Sequence, residues 1–348
     1  MKSKVAEISK LLAKELQRGE HGGVGEPFMT IRDICDNFNV SLQTAQRIVD
    51  LLKKDSLLSR SGRNLVIGRG IRTGKKDRGR RIGVMVNNMD NPFTSRLLNA
   101  LETAGRRCNA DIIAAGSDFN LTKEKKNIEL LKKCGVEAFI ICPAGSGSRT
   151  ALNALNLPFV LIGHEVSGVN ADVCGVNDLS CGFLAARHLA DSKCASYLYA
   201  GPEFGSKDAR FEGYLQGLRE NGIDFDTVNR IFCRTESNME QLCSFLKNRC
   251  RGKKRIGIFC YHDLIALRIM RAAHICGLRV PEDIAVVGVD DLPIAREVFP
   301  SLTTLRYPVQ QIAFSALQLL LAEDDTERKK VPRLFEPVLI RRESSWTV

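Results

Sequence analysis

Hydrophobic and polar positions alternate with two different rhythms, and the change between them divides the chain into two parts. Residues 4 to 18 have the three-to-four spacing of an amphipathic helix, with apolar side chains at Val5, Ile8, Leu11, Leu12 and Leu16. From residue 82 onward, short apolar runs alternate with amphipathic helical segments. The first part therefore predicts a small helical domain, and the second predicts an α/β architecture.

Two further short helices are predicted after the first one. Thr30 begins one of them, with Asp33 three residues later as in a capping box, and Ser41 begins the next after the turn "NFNV". The second of these helices separates a core side (Ala45, Ile48, Val49, Leu52) from an outward side (Gln43, Thr44, Gln46, Arg47, Asp50). Two short helices joined by a tight turn indicate a helix-turn-helix.

A hairpin is predicted after the helices, where "LLSRS" and "LVIG" flank Gly62 and two polar residues. Arg60 and Arg63 would stand on this wing and could reach phosphates or a minor groove. Gln, Thr and Arg on the preceding helix suit base edges and phosphates in a major groove. The hydrophobic pattern alone is also compatible with a small helical bundle that has a solvated polar face.

The charge distribution favours a polyanionic partner for the first part. Of the formal charge of +11, residues 1 to 81 hold 18 Lys and Arg against 9 Asp and Glu, which leaves 33 against 31 for the rest. Nucleic acid is the leading partner, and an anionic membrane surface is the alternative. Residues 68 to 81 carry seven Lys/Arg and four Gly, which predicts a flexible basic tether that adds phosphate contacts or is merely solvated.

The first part resembles the winged helix of the GntR family. The match lies within about residues 3 to 67. One segment of that family's pattern is matched by Thr30, Arg32, Asp33, Ile34 and Cys35, and the next segment is matched by Val40, Ser41, Thr44 and Ala45. Leu42 and Gln46 stand where the family usually has arginines. The resemblance and the hairpin together assign DNA contact to Arg32, Ser41, Gln43, Thr44, Gln46, Arg47, Arg60, Arg63 and Asn64.

Strand and helix signals alternate through the whole second part. Apolar runs such as "RIGVMV", "AFIIC", "FVLIG", "RIGIFC" and "IAVVGV" are followed by polar turn residues and amphipathic helices. This alternation is typical of parallel sheets covered on both faces by helices. A stretch of about 265 residues favours two such lobes over one.

Polar residues follow the apolar runs, at the strand ends where open parallel sheets bind their ligands. They are Asn88, Asp90, Asn91, Ser117, Asp118, His164, Glu165, His262, Asp263, Asp290 and Asp291. Carboxylates accept hydrogen bonds from vicinal hydroxyls, and a nearby aromatic ring such as Phe93 could cover the apolar face of a sugar. The set therefore indicates a polyhydroxyl ligand.

The second part also resembles the effector domain of the lac/gal repressor (LacI) family over essentially all of residues 82 to 345. The resemblance rests on "IGVMVNNMDNPFTSRLLNALETAG", "RFEGYLQGLRENGI" and the long stretch from "GLRVPEDIAVVGVDD" to "SALQLLL", with "RRES" near the end. It implies a two-lobed fold similar to periplasmic sugar-binding proteins, with an effector held between the lobes.

The resemblance also implies roles for individual residues. Asp290 corresponds to an acid that accepts hydrogen bonds from effector hydroxyls, Arg210 to an arginine that reaches the ligand, and Asp291 to a residue that orders the next turn. His262 replaces a common asparagine, and Gly163 with His164 replaces a common Asp-Arg pair, so a standard hexose is not implied. The predicted effector-binding set is Asn91, Phe93, Asp118, His164, Arg210, His262 and Asp290.

The sequence lacks the motifs and segments that would indicate several other classes of protein. The phosphate-loop, nucleophile-elbow and zinc-protease motifs are absent, and the five histidines lack metal spacing, so neither an enzyme nor a metal site nor a cofactor is expected. No run of about 18 apolar residues predicts a membrane span. The twelve cysteines lie within periodic apolar segments and predict reduced thiols in a cytoplasmic protein.

The sequence therefore predicts an α/β protein in three parts: a winged helix-turn-helix domain (1–67), a basic linker (68–81) and a two-lobed ligand-binding and dimerisation domain (82–348). The expected function is a homodimeric transcriptional regulator that binds double-stranded operator DNA and responds to a small carbohydrate. Repression is the default, with activation, and dimer against tetramer, left open. The alternative is a cytosolic sugar-binding protein with a nonspecific basic anchor.

Overall fold

The chain forms two compact units, residues 1–79 and 80–348. The computed structural model describes residues 4–17, 21–22, 25–62, 64–68, 80–202, 208–224, 228–233, 238–250, 254–322 and 332–346.

The first unit is a three-helix domain with a hairpin. Its elements are α1 (Lys4–Gln17), α2 (Ile31–Phe38), α3 (Leu42–Lys54), β1 (Leu58–Ser61) and β2 (Asn64–Ile67). Thr30 and Asp33 form the capping box of α2, and the Ser41 hydroxyl caps α3 by accepting from the Thr44 amide. Gly62 turns the hairpin at a φ of 62°, a value that favours glycine. The apolar sides of the helices and the hairpin enclose one core.

A third extended segment joins the hairpin where the sequence predicts only a loop. The Gly25 amide donates to the Ile67 carbonyl at 2.9 Å, and the Phe28 amide donates to the Leu65 carbonyl at 2.8 Å. Residues 25 to 28 therefore run along β2 and cover its outer edge. The segment carries Gly and Pro and has no strand-like alternation, which is why the pattern alone did not predict it.

The second unit alternates strands and helices along most of its length. Its elements in chain order are β3 (Arg80–Val86), α4 (Pro92–Arg107), β4 (Ala110–Gly116), α5 (Leu121–Lys133), β5 (Ala138–Ile141), α6 (Arg149–Asn153), β6 (Phe159–Ile162), β7 (Asp172–Val176), α7 (Asp178–Asp191), β8 (Ser196–Gly201), α8 (Ala209–Glu220), β9 (Val228–Phe232), α9 (Met239–Arg249), β10 (Ile256–Cys260), α10 (Asp263–Ile275), β11 (Ile284–Val289), α11 (Ile294–Glu297), β12 (Thr303–Arg306), α12 (Val309–Leu321), β13 (Arg333–Phe335) and β14 (Val338–Ile340).

These elements build two lobes, each around one sheet. The first sheet has the order β13-β7-β6-β5-β3-β4 with all neighbours parallel, and the second has the order β14-β12-β11-β10-β8-β9 with only β14 antiparallel. Helices α4 and α12 cover one face of the first sheet and α5 the other. Helices α7 and α8 cover one face of the second sheet, and α9 and α10 cover the other. The predicted α/β class with two parallel-sheet lobes is confirmed.

The chain passes between the two lobes at three places. It leaves the first lobe between β7 and α7, returns between β12 and α12, and leaves again between β13 and β14. Segments near the first two crossings carry Asp178 and Tyr307. Because the carboxyl ends of parallel strands share one edge of each sheet, the crossings and the polar strand ends lie at the junction of the lobes.

Several strands differ from the prediction. The sequence pattern does not predict β7, β9, β12, β13 or β14, because these strands have three to five residues and lack clear flanking turn signals. Strand β3 begins at Arg80, so the last two residues of the predicted linker belong to the second unit. The rest of that linker, 69–79, lies outside the described residues, as does Arg63 on the wing.

The twelve cysteines are all free thiols, and they range from buried Cys174 and Cys181 to exposed Cys134. Among the described helices, none has the length and apolar character that a membrane crossing requires.

Helices α7 and α8 approach each other so closely that only glycine fits at their contact. A Cβ atom on Gly182 would lie 1.9 Å from the Arg210 carbonyl oxygen, and one on Gly213 would lie 1.9 Å from the Leu179 carbonyl oxygen. These distances involve backbone, which cannot swing aside as a flexible side chain can. The contact therefore fixes the spacing between the helix that begins at Asp178 and the helix that carries Arg210.

We expect Gly182→Ala and Gly213→Ala each to destabilise the protein by about 1–3 kcal/mol or more, because the added methyl group must push two helices apart. Urea unfolding monitored by circular dichroism measures the difference in free energy of unfolding.

Gly145→Ala is the matched control, since a Cβ at Gly145 meets nothing within 4 Å and its φ of 160° is extended backbone. Equal stabilities for Gly182→Ala and Gly145→Ala would show that the α7–α8 contact tolerates a wider spacing.

Candidate functional site

Asp290 and Asp291 lie just beyond the carboxyl end of β11, at the junction of the lobes. Both have positive φ values, 111° and 48°, which non-glycine residues rarely adopt. The Asp290 amide donates to the Leu305 carbonyl at 2.9 Å, and the Leu292 amide donates to the Asp263 carboxylate at 2.8 Å, so the turn is held on both sides. A strained conformation that its surroundings maintain is typical of functional positions.

Asp291 uses its carboxylate to hold the turn. The side chain is 1% exposed and accepts hydrogen bonds from Arg342 and, at 2.6 Å, from Arg306, while Arg296 lies 3.6 Å away. Burial raises the pKa of Asp291, but the hydrogen bonds from Arg342 and Arg306 outweigh burial, and the pKa lies below its ordinary value. The carboxylate is therefore ionised and occupied by protein partners.

The side chain of Asp290 differs from that of Asp291 in its hydrogen bonding. It is buried, yet its carboxyl oxygens accept no hydrogen bond from the residues that the structure describes. Burial raises the pKa of Asp290 well above its ordinary value, the charge of Asp263 adds to the rise, and Arg210 and Arg96 only partly oppose it. A carboxyl group of this kind can accept or donate hydrogen bonds once a polar group enters the cleft.

Arg210 stands beside Asp290 in a network of three protein groups. Its Nε donates to Asp178 at 2.8 Å, and its Nη atoms donate to the Tyr261 carbonyl and the Tyr307 hydroxyl. Its guanidinium also stacks on the Tyr261 ring, 4.0 Å from the ring centroid. The network fixes the guanidinium in one orientation.

Phe93 and Tyr307 join the two lobes at this point. The rings meet edge to face with their centroids 5.7 Å apart, and Phe93 packs against the cores of both lobes. The Tyr307 hydroxyl donates to Asp178 at 2.8 Å, which links it to the Arg210 network. An apolar ring therefore lies next to the polar groups around Asp290.

His262 and Asp263 begin α10 and have different roles. The His262 ring caps the helix, since its Nδ1 accepts from the Ile265 amide at 3.2 Å, and this leaves Nε2 as the protonated nitrogen of the neutral ring. Asp263 is fully buried and accepts from the Thr304 hydroxyl and the Leu292 amide. Burial raises the pKa of Asp263 to about 7. Asp263 is thus a structural support behind Asp290.

The first lobe contributes Asn91 and His164. The Asn91 side chain caps α4 by accepting from the Phe93 amide at 2.9 Å. His164 follows β6 and faces Asp178 of the other lobe: the surrounding protein lowers the pKa of the imidazole, and the charge of Asp178 opposes that decrease. Both residues lie at the first lobe's strand ends.

Asp118 is the predicted site residue that the structure does not bring to this group. Its carboxylate is exposed, forms an ion pair with Lys123 and lies at a φ of 50° in the turn after β4. No described contact joins it to Asp290 or Arg210. Its place at a strand end is as predicted, but β4 is the edge strand of its sheet, far along the strand order from the crossings.

Three members of the site are absent from the residues predicted from the sequence: Asp178, Tyr261 and Tyr307. Asp178 follows β7 and Tyr307 follows β12, two strands that were not predicted, so the rule of inspecting strand ends could not reach them. Tyr261 directly precedes His262 at the end of β10, and the same rule could have found it.

The first unit presents the predicted DNA-contact residues on its surface. Ser41 caps α3, and Gln43 and Arg47 are exposed on that helix, whereas the Gln46 amide donates to Asp50 at 3.0 Å. The other exposed members are Arg32 on α2, Arg60 on β1 and Asn64 on β2, and Thr44 is half-buried. No group of three or more potential metal ligands lies within the described residues of either unit.

We expect Asp291→Asn to lower the free energy of unfolding at pH 7 by about 3 kcal/mol, because it leaves the Arg342 guanidinium buried without its carboxylate. The folded-state pKa of Asp291 lies below the value of about 3.9 of the unfolded chain, so its contribution is present above that pH and is lost as pH falls through the folded-state pKa. Urea unfolding should therefore show a smaller difference between wild type and Asp291→Asn at pH 3 than at pH 7.

Glu102→Gln is the control, since it removes an exposed ion pair with Arg106 and should change stability little at either pH. A difference between wild type and Asp291→Asn that persists unchanged at pH 3 would contradict the charge-based account.

Comparisons with known proteins identify the fold of the second unit. A family model for the periplasmic binding protein-like domain matches residues 186–345. The LacI transcriptional regulator from Alkaliphilus metalliredigens QYMF, solved with D-xylulofuranose, has a similar structure with a TM-score of 0.66 and 24% identity, covering 77% of this chain and all of that chain. This similarity shows the fold.

Two curated relatives are similar over most of the chain. The transcriptional regulator GalR of Escherichia coli is 26% identical over 90% of this chain and 95% of its own length. The ribose operon repressor of Halalkalibacterium halodurans is 24% identical over 87% of this chain and 94% of its own length.

The relatives correct one assignment made from the sequence. They are regulators of the LacI type, and their alignments extend over most of the chain, so they do not support placing the first unit in the GntR family. The capped helices and the hairpin on which the resemblance rests are present in the first unit, but they do not by themselves identify a family. The chain is a ligand-responsive, DNA-binding transcriptional regulator with a periplasmic-binding-protein-like domain, and it is not an enzyme.

Proposed function

We propose that this regulator represses transcription from an operator that its first unit binds, and that a sugar held between the lobes at Asp290 controls the operator affinity. The observation that carries the proposal is the state of Asp290: a buried carboxyl group without a hydrogen-bond partner among the described residues, beside a fixed arginine and an aromatic ring. Because Asp290 keeps 6% of its surface exposed, polar groups of a ligand can reach its carboxyl oxygens from the cleft.

The chemistry around Asp290 suits a sugar. Its carboxyl oxygens can accept from two vicinal hydroxyls, and Phe93 offers an apolar surface for the sugar's carbon face. Arg210 and His262 supply donors. The names of the ribose operon repressor and of the regulator solved with D-xylulofuranose are consistent with a five-carbon carbohydrate as the effector.

The surface of α3 and the hairpin would read DNA. Gln43 and Arg47 project from a capped helix, and Arg60 and Asn64 lie on the hairpin next to it in sequence. The hairpin, together with the extended segment of residues 25 to 28, is what supports a winged form of this domain. Arginine side chains would contact phosphates, and glutamine would contact base edges.

A homodimer formed through the first lobe would place two such domains on a two-fold operator. Strand β4 is the edge strand of its sheet, and Ile112 on it lies beside Leu98 of α4 in a concave surface with Glu102 and Arg106. An edge strand next to apolar side chains is suited to pairing with a second copy. We propose that the regulator acts in the cytoplasm, where its DNA lies.

The second candidate is a cytosolic sugar-binding protein whose basic first unit binds nucleic acid without sequence preference. The basic segment of residues 68 to 81 favours it, because charge alone gives affinity without specificity. Selection of bound DNA separates the two functions.

We expect full-length protein to select genomic DNA fragments that share an inverted repeat, and residues 80–348 alone to select none, because base contacts come from the first unit. Sequencing of bound fragments across a salt series measures this. Enrichment without a common sequence would favour the nonspecific anchor.

Arg47→Ala should weaken binding to the selected site and lower the slope of log affinity against log salt by about 1, as loss of one phosphate contact predicts. Arg279→Ala, an exposed residue of the second unit that pairs with Asp283, is the matched control and should leave the slope unchanged.

We expect Asp290→Ala to lower sugar affinity by about five- to a hundredfold, because two hydrogen bonds to a buried carboxyl group, of about 0.5–1.5 kcal/mol each, are lost. Calorimetric titration with D-ribose, D-xylulose, D-galactose and cellobiose, chosen to vary ring size and length, measures wild type and variant.

Asp118→Asn tests the remaining predicted residue in the same titrations. Unchanged affinity would leave Asp118 outside the site, and a comparable loss would place it within. Full sugar binding by Asp290→Ala would contradict the proposed role of Asp290.

A further inference from the structure

Arg96 connects the first lobe to the turn that carries Asp290. It lies on α4, whose neighbouring residues Leu97, Ala100 and Leu101 are buried in the core of the first lobe. Its Nη1 nevertheless donates to the backbone oxygen of Asp290 and, at 2.9 Å, to that of Asp291, both in the second lobe. One side chain therefore bridges the cleft at its binding residue.

The backbone of the turn is shaped for this contact. Consecutive carbonyl groups of an extended strand point to opposite sides, so they cannot share one donor. The positive φ values of Asp290 and Asp291 bring both oxygens onto a single guanidinium nitrogen. The same strained conformation thus presents the carboxyl of Asp290 in the cleft and its carbonyl to Arg96.

Arg96 also acts on the carboxyl group itself. Its charge opposes the rise that burial causes in the pKa of Asp290, so the guanidinium lies within electrostatic reach of that carboxyl. Phe93, one turn earlier on α4, contacts Tyr307 of the crossing segment. The first turns of α4 therefore carry both an apolar and a polar contact with the second lobe.

We propose that Arg96 is a positioning residue for the effector site: it orients the Asp290 carboxyl by clamping the two carbonyls, and it holds the lobes closed. This role rests on the proposed function, in which Asp290 binds a sugar. Because α4 also carries Glu102 and Arg106 on the concave surface beside β4, movement of the lobes at Arg96 moves a helix of the proposed dimer contact.

Closure by Arg96 sets the affinity of the site. A binding site that is complete only in the closed arrangement binds more weakly by the factor by which that arrangement is depopulated. Removal of the guanidinium lowers the closed population, and affinity falls without loss of any group that touches the sugar. A residue that merely stabilises α4 would instead loosen the whole helix.

The test compares full-length wild type with Arg96→Ala, Arg96→Lys and the matched control Arg107→Ala, which is exposed at the end of the same helix and lies outside the concave surface. Hydrogen exchange without sugar, read by mass spectrometry, should be at least fivefold faster at residues 290–292 in Arg96→Ala, partly restored in Arg96→Lys and unchanged in Arg107→Ala. Exchange within residues 97–101 should stay at the wild-type rate. Equal exchange at residues 290–292 in wild type and Arg96→Ala, or equal acceleration along α4, overturns the proposal.

A second measurement uses D-ribose, D-xylulose, D-galactose and cellobiose as probes. Where a sugar protects residues 290–292 of the wild type, Arg96→Ala should need at least tenfold more of it, and equal affinity overturns the role in binding. If none of the four protects wild type while Arg96→Ala still loosens the turn, the clamp stands and the sugar assignment of the proposed function is what fails.

Discussion

The close contact of α7 with α8 is the constraint on which the site depends. Gly182 and Gly213 let the two backbones approach until only hydrogen atoms fit between them. Asp178 at the start of α7 then meets Arg210 on α8, and Tyr307 completes the network from a crossing segment. A buried guanidinium is stable only with such partners, so the helix spacing determines whether a charged group can stand in the cleft at all.

The two adjacent aspartates have different roles, one structural and one functional, because their side chains have different numbers of hydrogen-bond partners. Asp291 is surrounded by arginines and holds the turn, while Asp290 is buried without a hydrogen bond among the described residues. Adjacent residues of a strand would face opposite sides, but here both lie beyond the strand in left-handed backbone. The ionised member fixes the geometry in which its neighbour stays available for a ligand.

Much of the architecture followed from the sequence because its signals are local. Capping residues at Thr30 and Ser41 marked two helix starts, and long apolar runs marked β3, β5, β10 and β11. Short strands such as β7 and β12 gave no periodic signal, and with them Asp178 and Tyr307 were lost from the predicted site. The GntR assignment finds no support among the relatives, and the few capping positions on which it rests describe a local shape that many domains share.

The sequence by itself determined the two-part organisation, the α/β class and the strand-end position of Asp290, because charge, hydrophobic period and chain order are all local properties. Only the tertiary structure decided which strand-end residues meet. Asp118 also follows a strand, yet it pairs with Lys123 beside an edge strand. Arg96, which lies within helix α4, donates to the backbone oxygens of Asp290 and Asp291, which are 194 and 195 positions further along the chain. Contacts of that kind arise from the packing of one lobe against the other, and no spacing along the chain records them.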